Sequence, residues 1–186
     1  MKTSEAIRQR RSVKRFTDDA VKREQLEHLI EAATLAPNHK LTNPWRFYVL
    51  GPHSREAYGR ALGERKAKKQ PDPVKGAQVR DTVAAEHKAL PAMIAVAVVE
   101  TQDPEQREED YAATMMAISH MMLVAVELGL GTAIKSGGIM NDPAARAAVG
   151  VPEGQRIVAV INVGYPAEVP PAKNRTAAAE LTQWRD

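Results

Sequence analysis

Leu26, Leu29, Ile30 and Ala33 recur three and four residues apart and line one side of a helix. Pro37 disfavours helical geometry at Ala36, so this helix is expected to stop there. Before it, Thr3 or Ser4 can cap a short helix running to about Arg10, with Glu5 favoured in its first turn by the helix dipole. Ser12-Val13-Lys14-Arg15-Phe16 then alternates polar and apolar residues, as an extended segment does, and Thr17-Asp18-Asp19 reads as a turn. After the loop from Asn38 to Pro44, the aromatic and β-branched run from Trp45 to Leu50 predicts a strand.

Residues 54–69 and 79–88 read as polar, solvent-facing helices around a proline-rich break at Gln70 to Pro73. Ala92 to Val99 is apolar throughout, the pattern of a central strand covered on both faces, so its neighbours should be helices. The longest helix candidate spans Glu109 to Leu128, with Ala112, Met115, Met116, Ser119, Met122, Leu123 and Val126 on a broad small-and-apolar face; Gly129 and Gly131 can end it. Thr132 to Ser136 fits a short strand and Gly137-Gly138 a turn. Asp142-Pro143 then supplies an N-cap with proline at the first helical position. Arg156 to Gly164 reads as a last core strand, and in the tail from Tyr165 to Asp186 only Ala177 to Glu180 is helix-prone. Four strands and at least five helices, without repeat or linker, predict a single domain over residues 1–186. A helix as apolar as residues 109–128 must be covered on most sides, either as ordinary core or between the sheet and a second subunit, which its adaptable methionines would suit. The pattern alone leaves both open.

Composition narrows the chemistry. A chain of 186 residues buries roughly 70% of its unfolded surface and needs no staples. The absence of cysteine excludes disulfides, thiolate metal sites and cysteine nucleophiles, and allows a reducing compartment. The first residues lack a signal peptide's apolar core, and no uncharged apolar run reaches the roughly 20 residues of a membrane span, so the cytoplasm is expected, with no membrane partner. The net charge is +3, but aromatic residues make up only 4%, and the densest basic run, Arg65-Lys66-Ala67-Lys68-Lys69, leads into Gln-Pro-Asp-Pro and not into a stacking platform. No nucleic-acid partner is expected. The five histidines show no ligand spacing, so no metal is expected either, and nucleophile elbow, P-loop and GxGxxG motifs are missing. What remains is Arg10-Arg11-Ser12-Val13-Lys14-Arg15, four cations and a hydroxyl around a helix end. Guanidinium groups bind phosphate bidentately, which suits a phosphorylated ligand; solvated cations at a helix C-terminus are stabilising in any case. Both readings stand at this point.

Three segments together resemble the flavin-dependent nitroreductase family, most of all its small single-domain bacterial members, over nearly the whole chain. They are Arg10-Arg11-Ser12-Val13-Lys14-Arg15-Phe16, then Ala36-Pro37-Asn38-His39 with Asn43-Pro44-Trp45-Arg46-Phe47, then Gly129-Leu130-Gly131 running into Lys135-Ser136-Gly137. The resemblance implies an α+β, three-layer α/β/α fold: a central mixed, mainly antiparallel sheet flanked by helices, with a long central helix at a homodimer interface and FMN in a cleft between the subunits. It implies that Arg10, Arg11 and Ser12 hold the phosphate and ribityl chain of FMN. Lys14 would reach the pyrimidine edge, where a cation stabilises the negative charge of reduced flavin. Pro37, Asn38 and His39 would come from the partner subunit. Ile134, Lys135 and Ser136 would lie against the isoalloxazine ring, and Lys173 and Arg175 would reach the phosphate. The implied activity is ping-pong hydride transfer from NADH or NADPH through FMN to a nitroaromatic, quinone or similar electron-poor small molecule, with no side-chain nucleophile or general acid. The alternatives are reductive dehalogenation or dehydrogenation on the same scaffold, or a flavin-binding protein without turnover. Two departures stand out: Asn43-Pro44-Trp45 where the family often has Gln-Pro-Trp, and Leu35 where close relatives can carry arginine. The polar stretch from Arg65 to Lys75 is a candidate mobile wall over the flavin.

Overall fold

Four helices begin with proline, whose missing N–H the first turn does not need and whose fixed φ suits it. They are α3 (Pro52–Ala67), α4 (Pro73–Ala89), α5 (Pro104–Glu127) and α6 (Pro143–Val149). Aspartates cap three of them: Asp72 accepts from the amide of Val74, Asp103 from those of Glu105 and Gln106, and Asp142 from those of Ala144 and Ala145. The computed structural model describes residues 1–186 and adds α1 (Thr3–Gln9), α2 (Arg23–Thr34) and the single turn α7 (Ala178–Leu181). The Asp-Pro signal that locates α6 is repeated at Asp103-Pro104 and Asp72-Pro73, and it starts α5 and α4 well before Glu109 and Val79, the starts expected from the sequence. At α1, Lys2 holds the N-cap position without a side-chain bond, so Thr3 and Ser4 are inside the helix and do not cap it.

Strands β1 (Trp45–Val49), β2 (Ala92–Val99), β3 (Gly131–Lys135) and β4 (Gln155–Gly164) form one sheet in the order β1-β2-β4-β3. Every neighbouring pair is antiparallel, and parallel pairing is confined to a single bridge between Ser12 and Thr132. Alternation along β2 and β4 builds two cores. Ile94, Val96, Ile161 and Val163 pack with Leu29 and Ala33 of α2 and with Ala117, Ile118 and Met121 of α5. On the other face, Met93, Ala95, Ile157 and Val160 pack with Tyr58 and Ala61 of α3 and with Ala145 and Val149 of α6. The central strands are thereby covered on both sides, giving helix, sheet and helix layers.

The buried stripe of α5 is Asp110, Ala113, Thr114, Ala117, Ile118, Met121 and Ala125. It is not the face that sequence periodicity singled out. Ala112, Met116 and Ser119 are exposed, and Met115, Met122, Leu123 and Val126 are half-buried. Alanines among Ile118 and Met121 let α5 lie close to the sheet, and Met115, Met116, Met122 and Leu123 are left on its outward side.

The two polar helices, α3 and α4, form a packed hairpin whose inner face buries Tyr58, Ala61, Val83 and Ala84. Gly59 and Gly63 make the close approach possible. A Cβ on Gly59 would lie 2.7 Å from Cβ of His87, and one on Gly63 would lie 2.8 Å from Cα of Arg80. Ion pairs Arg60–Asp81 (3.3 Å) and Arg80–Glu64 (3.1 Å) cross the outer side. Gly63→Val drives a branched side chain into backbone and is expected to cost about 1–3 kcal/mol, read as a lower urea midpoint at unchanged slope. Gly51→Ser, at an N-cap with nothing within 4 Å of the new Cβ, is expected to change stability by less than about 0.5 kcal/mol.

Candidate active site

The N-terminal segment is tied by main-chain hydrogen bonds to β3, at the edge of the sheet, and to the chain that follows β4. The amide of Val13 donates to the carbonyl of Thr132 (2.9 Å), that of Thr17 to Tyr165 (2.9 Å), and that of Ala167 to Arg15 (3.0 Å). Val13 is buried against Gly131, where an added Cβ would lie 2.7 Å from a Val13 methyl. Successive side chains of an extended segment point to opposite sides, so Arg10, Ser12 and Lys14 alternate with Arg11 and Val13. The Arg11 guanidinium donates to the carbonyls of Arg8 (2.6 Å) and Arg10 (2.9 Å), closing the end of α1, and Arg15 pairs with Glu168 (3.4 Å). The four cations of the motif are therefore not equivalent. No hydrogen bond or ion pair engages the side chains of Arg10 and Lys14. With Ser12 they form a cation, hydroxyl, cation series about 13 Å long at roughly 3.3 Å per residue.

Beside Lys14 opens a cleft of about 680 Å³, within the usual size of small-molecule sites. Lys14, Phe16, Thr17 and Asp18 form one wall, and the α3–α4 hairpin forms the other through Tyr58, Leu62, Lys66, Glu86, His87 and Leu90. Val160 and Asn162 of β4, with Lys135, Ser136 and Ile139, complete it. Two buried polar atoms in these walls have no hydrogen-bond partner, the Tyr58 hydroxyl and Oδ1 of Asn162. Burial pushes the Tyr58 hydroxyl up to about 12. The His87 ring packs on Tyr58 at 5.8 Å between centroids, and its Nδ1 lies 2.8 Å from the Val83 carbonyl, so Nδ1–H is the donor and Nε2 the free acceptor. Burial above all, joined by Lys66 and Lys135, holds the His87 pKa below the usual histidine value against the opposing pull of the Val83 bond and Glu86.

Of the residues expected from the sequence, Lys14, Lys135 and Ser136 meet in this cleft, half-buried Ile134 adjoins it, and Arg10 and Ser12 precede Lys14 on the same segment. Pro37, Asn38 and His39 lie elsewhere, against the N-terminal part of α5. Nδ1 of His39 is 2.8 Å from the Glu109 carboxylate, and the Thr42 hydroxyl, itself bonded to Asn38, donates to buried Asp110. The N-terminus sits at the opposite end, with its ammonium 3.8 Å from Glu127. Positions 109 and 127 are about 27 Å apart at roughly 1.5 Å per residue. The loop after Asn38 holds Lys40, Leu41 and Asn43 at φ values of 58°, 50° and 46°, left-handed conformations that cost non-glycine residues about 1–3 kcal/mol each. Asn38 braces it, accepting from the Asn43 amide at 2.7 Å. Lys173 and Arg175 stand exposed on the tail with no partner, away from the cleft walls. From the stretch between Arg65 and Lys75 only Lys66 lines the cleft. Tyr58, His87 and Asn162 escaped sequence reasoning because they come from three separated segments without a local motif; the one available signal was a lone asparagine inside the apolar run of β4.

The model of the Nitroreductase family matches residues 7–165. The chain belongs to the Nitroreductase family. Within that family, YfhC of Bacillus subtilis, provisionally named an NAD(P)H nitroreductase, is 33% identical over 173 residues, covering 91% of this chain and 87% of YfhC. The crystal structure of a nitroreductase-like family protein from Bacillus cereus matches with a TM-score of 0.87 at 33% identity, covering 100% of this chain and 97% of the other. A Desulfovibrio desulfuricans protein, provisionally called a nitroreductase and solved in complex with FMN, matches with a TM-score of 0.73 at 26% identity, over 99% and 97% of the two chains. The α+β three-layer arrangement is thus the nitroreductase fold. No helix of this family member is long and apolar enough to cross a membrane.

The depressed pKa of His87 has a measurable consequence for stability. As pH falls through the ordinary histidine value of about 6.5, the unfolded chain takes up a proton that the folded chain refuses, so stability declines from there toward the folded-state pKa and is intact above it. His87→Gln is expected to flatten the fall in urea midpoint between about pH 7.5 and 5.5. An unchanged slope would show that His87 is not held neutral.

Proposed function

We propose that this chain is an FMN-dependent NAD(P)H oxidoreductase, a nitroreductase of the cytoplasm that reduces nitroaromatic, quinone or similar electron-poor small molecules. On this reading it is a single domain over residues 1–186 that works as a homodimer. The observation that carries the proposal is the series of unengaged donors Arg10, Ser12 and Lys14, which runs along the sheet edge into a cleft holding unpaired polar groups. That series fits FMN: a guanidinium and a hydroxyl for the phosphate, then a cation for an electron-rich ring edge. The FMN complex of the Desulfovibrio desulfuricans relative supports the same cofactor.

The chemistry that bound FMN supplies is hydride relay, from NADH or NADPH in one half-reaction and to the acceptor in the other, in ping-pong order. Arg10 and Ser12 hold the phosphate and ribityl chain. Arg11 acts at one remove, since its guanidinium fixes the backbone carbonyl of Arg10. Lys14 lends positive charge where negative charge accumulates on reduction. Ile134, Lys135 and Ser136 offer backbone groups to the ring, while Leu62, Ile139 and Val160 keep water from that part of the cleft. Lys173 and Arg175, free on the tail, are available to the phosphate.

The dimer accounts for the separation of the expected residues into two groups. If two α5 helices pack antiparallel through the outward face of Met115, Met116, Met122 and Leu123, the partner's N-terminal end lies at this chain's C-terminal end. The partner subunit's Pro37, Asn38 and His39 then reach the Arg10 and Ser12 of this chain. An outward apolar face, with Met116 exposed and Met115, Met122 and Leu123 half-buried, suits such a contact.

Arg10→Ala is expected to weaken FMN binding by about tenfold or more with the fold retained, measured by flavin absorbance on titration and by circular dichroism. Unchanged affinity would place the phosphate elsewhere. Met116→Glu puts a charge into the proposed interface and is expected to give a monomer in sedimentation that has also lost flavin. A flavin-loaded monomer would contradict the shared site.

A further inference from the structure

Five charged side chains line the cleft, Lys14, Lys66, Lys135, Asp18 and Glu86, and none is paired in the structure. On the outer side of the α3–α4 hairpin Arg60, Arg80 and Lys88 are held by acids at 2.9–3.3 Å. Lys14 already has a place in the flavin reading. The ammonium groups of Lys66 and Lys135 do not.

These two lysines come from the last turn of α3 and the last residue of β3, and a specific contact brings them together. Arg65 lies over Gly138, where an added Cβ would be 2.8 Å from Nη2, and reaches 3.8 Å from the Asp142 carboxylate. The end of α3 is thereby pinned to the turn that follows β3. Both ammonium groups are near enough to His87 to disfavour its protonated form. Both are exposed, at the mouth of the cleft, and Glu86, beside His87 on α4, is bonded to neither. Deeper in, the buried Oδ1 of Asn162 and the free Nε2 of His87 are acceptors without donors.

We propose that Lys66 and Lys135 form an anion subsite at the mouth of the cleft, which holds the carboxylate or phosphate of the molecule that exchanges electrons at the proposed flavin site. The inference rests on that flavin reading. The ligand class it defines is a flat molecule with an anionic group at one end; where the other end carries an N–H or O–H donor, Asn162 or His87 accepts from it. An aromatic acceptor bearing a carboxylate and the phosphorylated end of a nicotinamide nucleotide share this chemistry, and the two lysines recognise it by charge-assisted hydrogen bonds.

Calorimetric titration of the purified protein with benzoate, a carboxylate that accepts no electrons, reads the subsite directly. Lys66→Gln and Lys135→Gln are each expected to weaken benzoate binding by about tenfold or more, and Lys66→Arg to retain it. In steady-state assays Lys66→Gln is expected to raise KM for 4-nitrobenzoate if the acceptor supplies the anion, or for NADPH if the donor does. In either case KM for the uncharged 4-nitrobenzamide stays as it was. Benzoate affinity untouched by both substitutions, or equal losses for 4-nitrobenzoate and 4-nitrobenzamide, would overturn the subsite. A protein that neither carries nor takes up flavin would instead overturn the reading beneath it, and the benzoate titration would still report on the two lysines.

Discussion

The hydrogen bond from Val13 to Thr132, with the Val13 side chain pressed onto Gly131, is the contact on which the site depends. β3 ends the sheet, and Ser12 and Val13 pair with its edge at Thr132 while residues 15–17 pair with the chain that follows β4. Side chains of an extended segment alternate with a period of two, so docking Val13 inward also decides where its neighbours go. Ser12 and Lys14 face away from the core, and Arg11 turns back onto the carbonyls of α1. A slip of one residue would exchange the two sets and bury charge where Val13 now sits. The same docking brings Arg15 beside the tail, whose Ala167 amide it accepts.

Small residues do the complementary work on the two helical layers. Alanines along α5 allow close contact with the sheet and leave Met115, Met116 and Met122 outward, while Gly59 and Gly63 let α3 and α4 close on each other. The first arrangement creates an apolar surface with no partner in its own chain. The second creates a wall that carries Tyr58, Lys66 and His87 to the cleft. Each is a consequence of how near two backbones can come before a Cβ intervenes.

Several elements were open to reading along the chain because their causes are local. Apolar residues three and four apart marked α2, an unbroken apolar run marked β2, and an aspartate before proline marked α6. Where an element started early, as α4 and α5 do, the sequence held the cue in a second and third Asp-Pro pair. Which face of α5 would be buried was a different kind of question. Both faces are apolar enough, and the choice went to the alanine-rich side because small side chains let the helix backbone approach the sheet.

The candidate site divides in the same way. The cluster from Arg10 to Arg15 could be marked from residue type, since cations and a hydroxyl carry their chemistry with them, but the roles of Arg10, Ser12 and Lys14 toward a flavin came from the family resemblance. The separate duties of Arg11 and Arg15, the meeting of Lys14 with Lys135, and the acceptors of His87 and Asn162 became visible only in three dimensions. By itself the sequence determined the elements, the chemical kinds of the functional groups and the family they resemble, because these follow from short-range periodicity and residue chemistry. Tertiary structure alone decided which charges stay unpaired and which polar groups face one cleft, because pairing and burial depend on contacts between residues far apart in the chain.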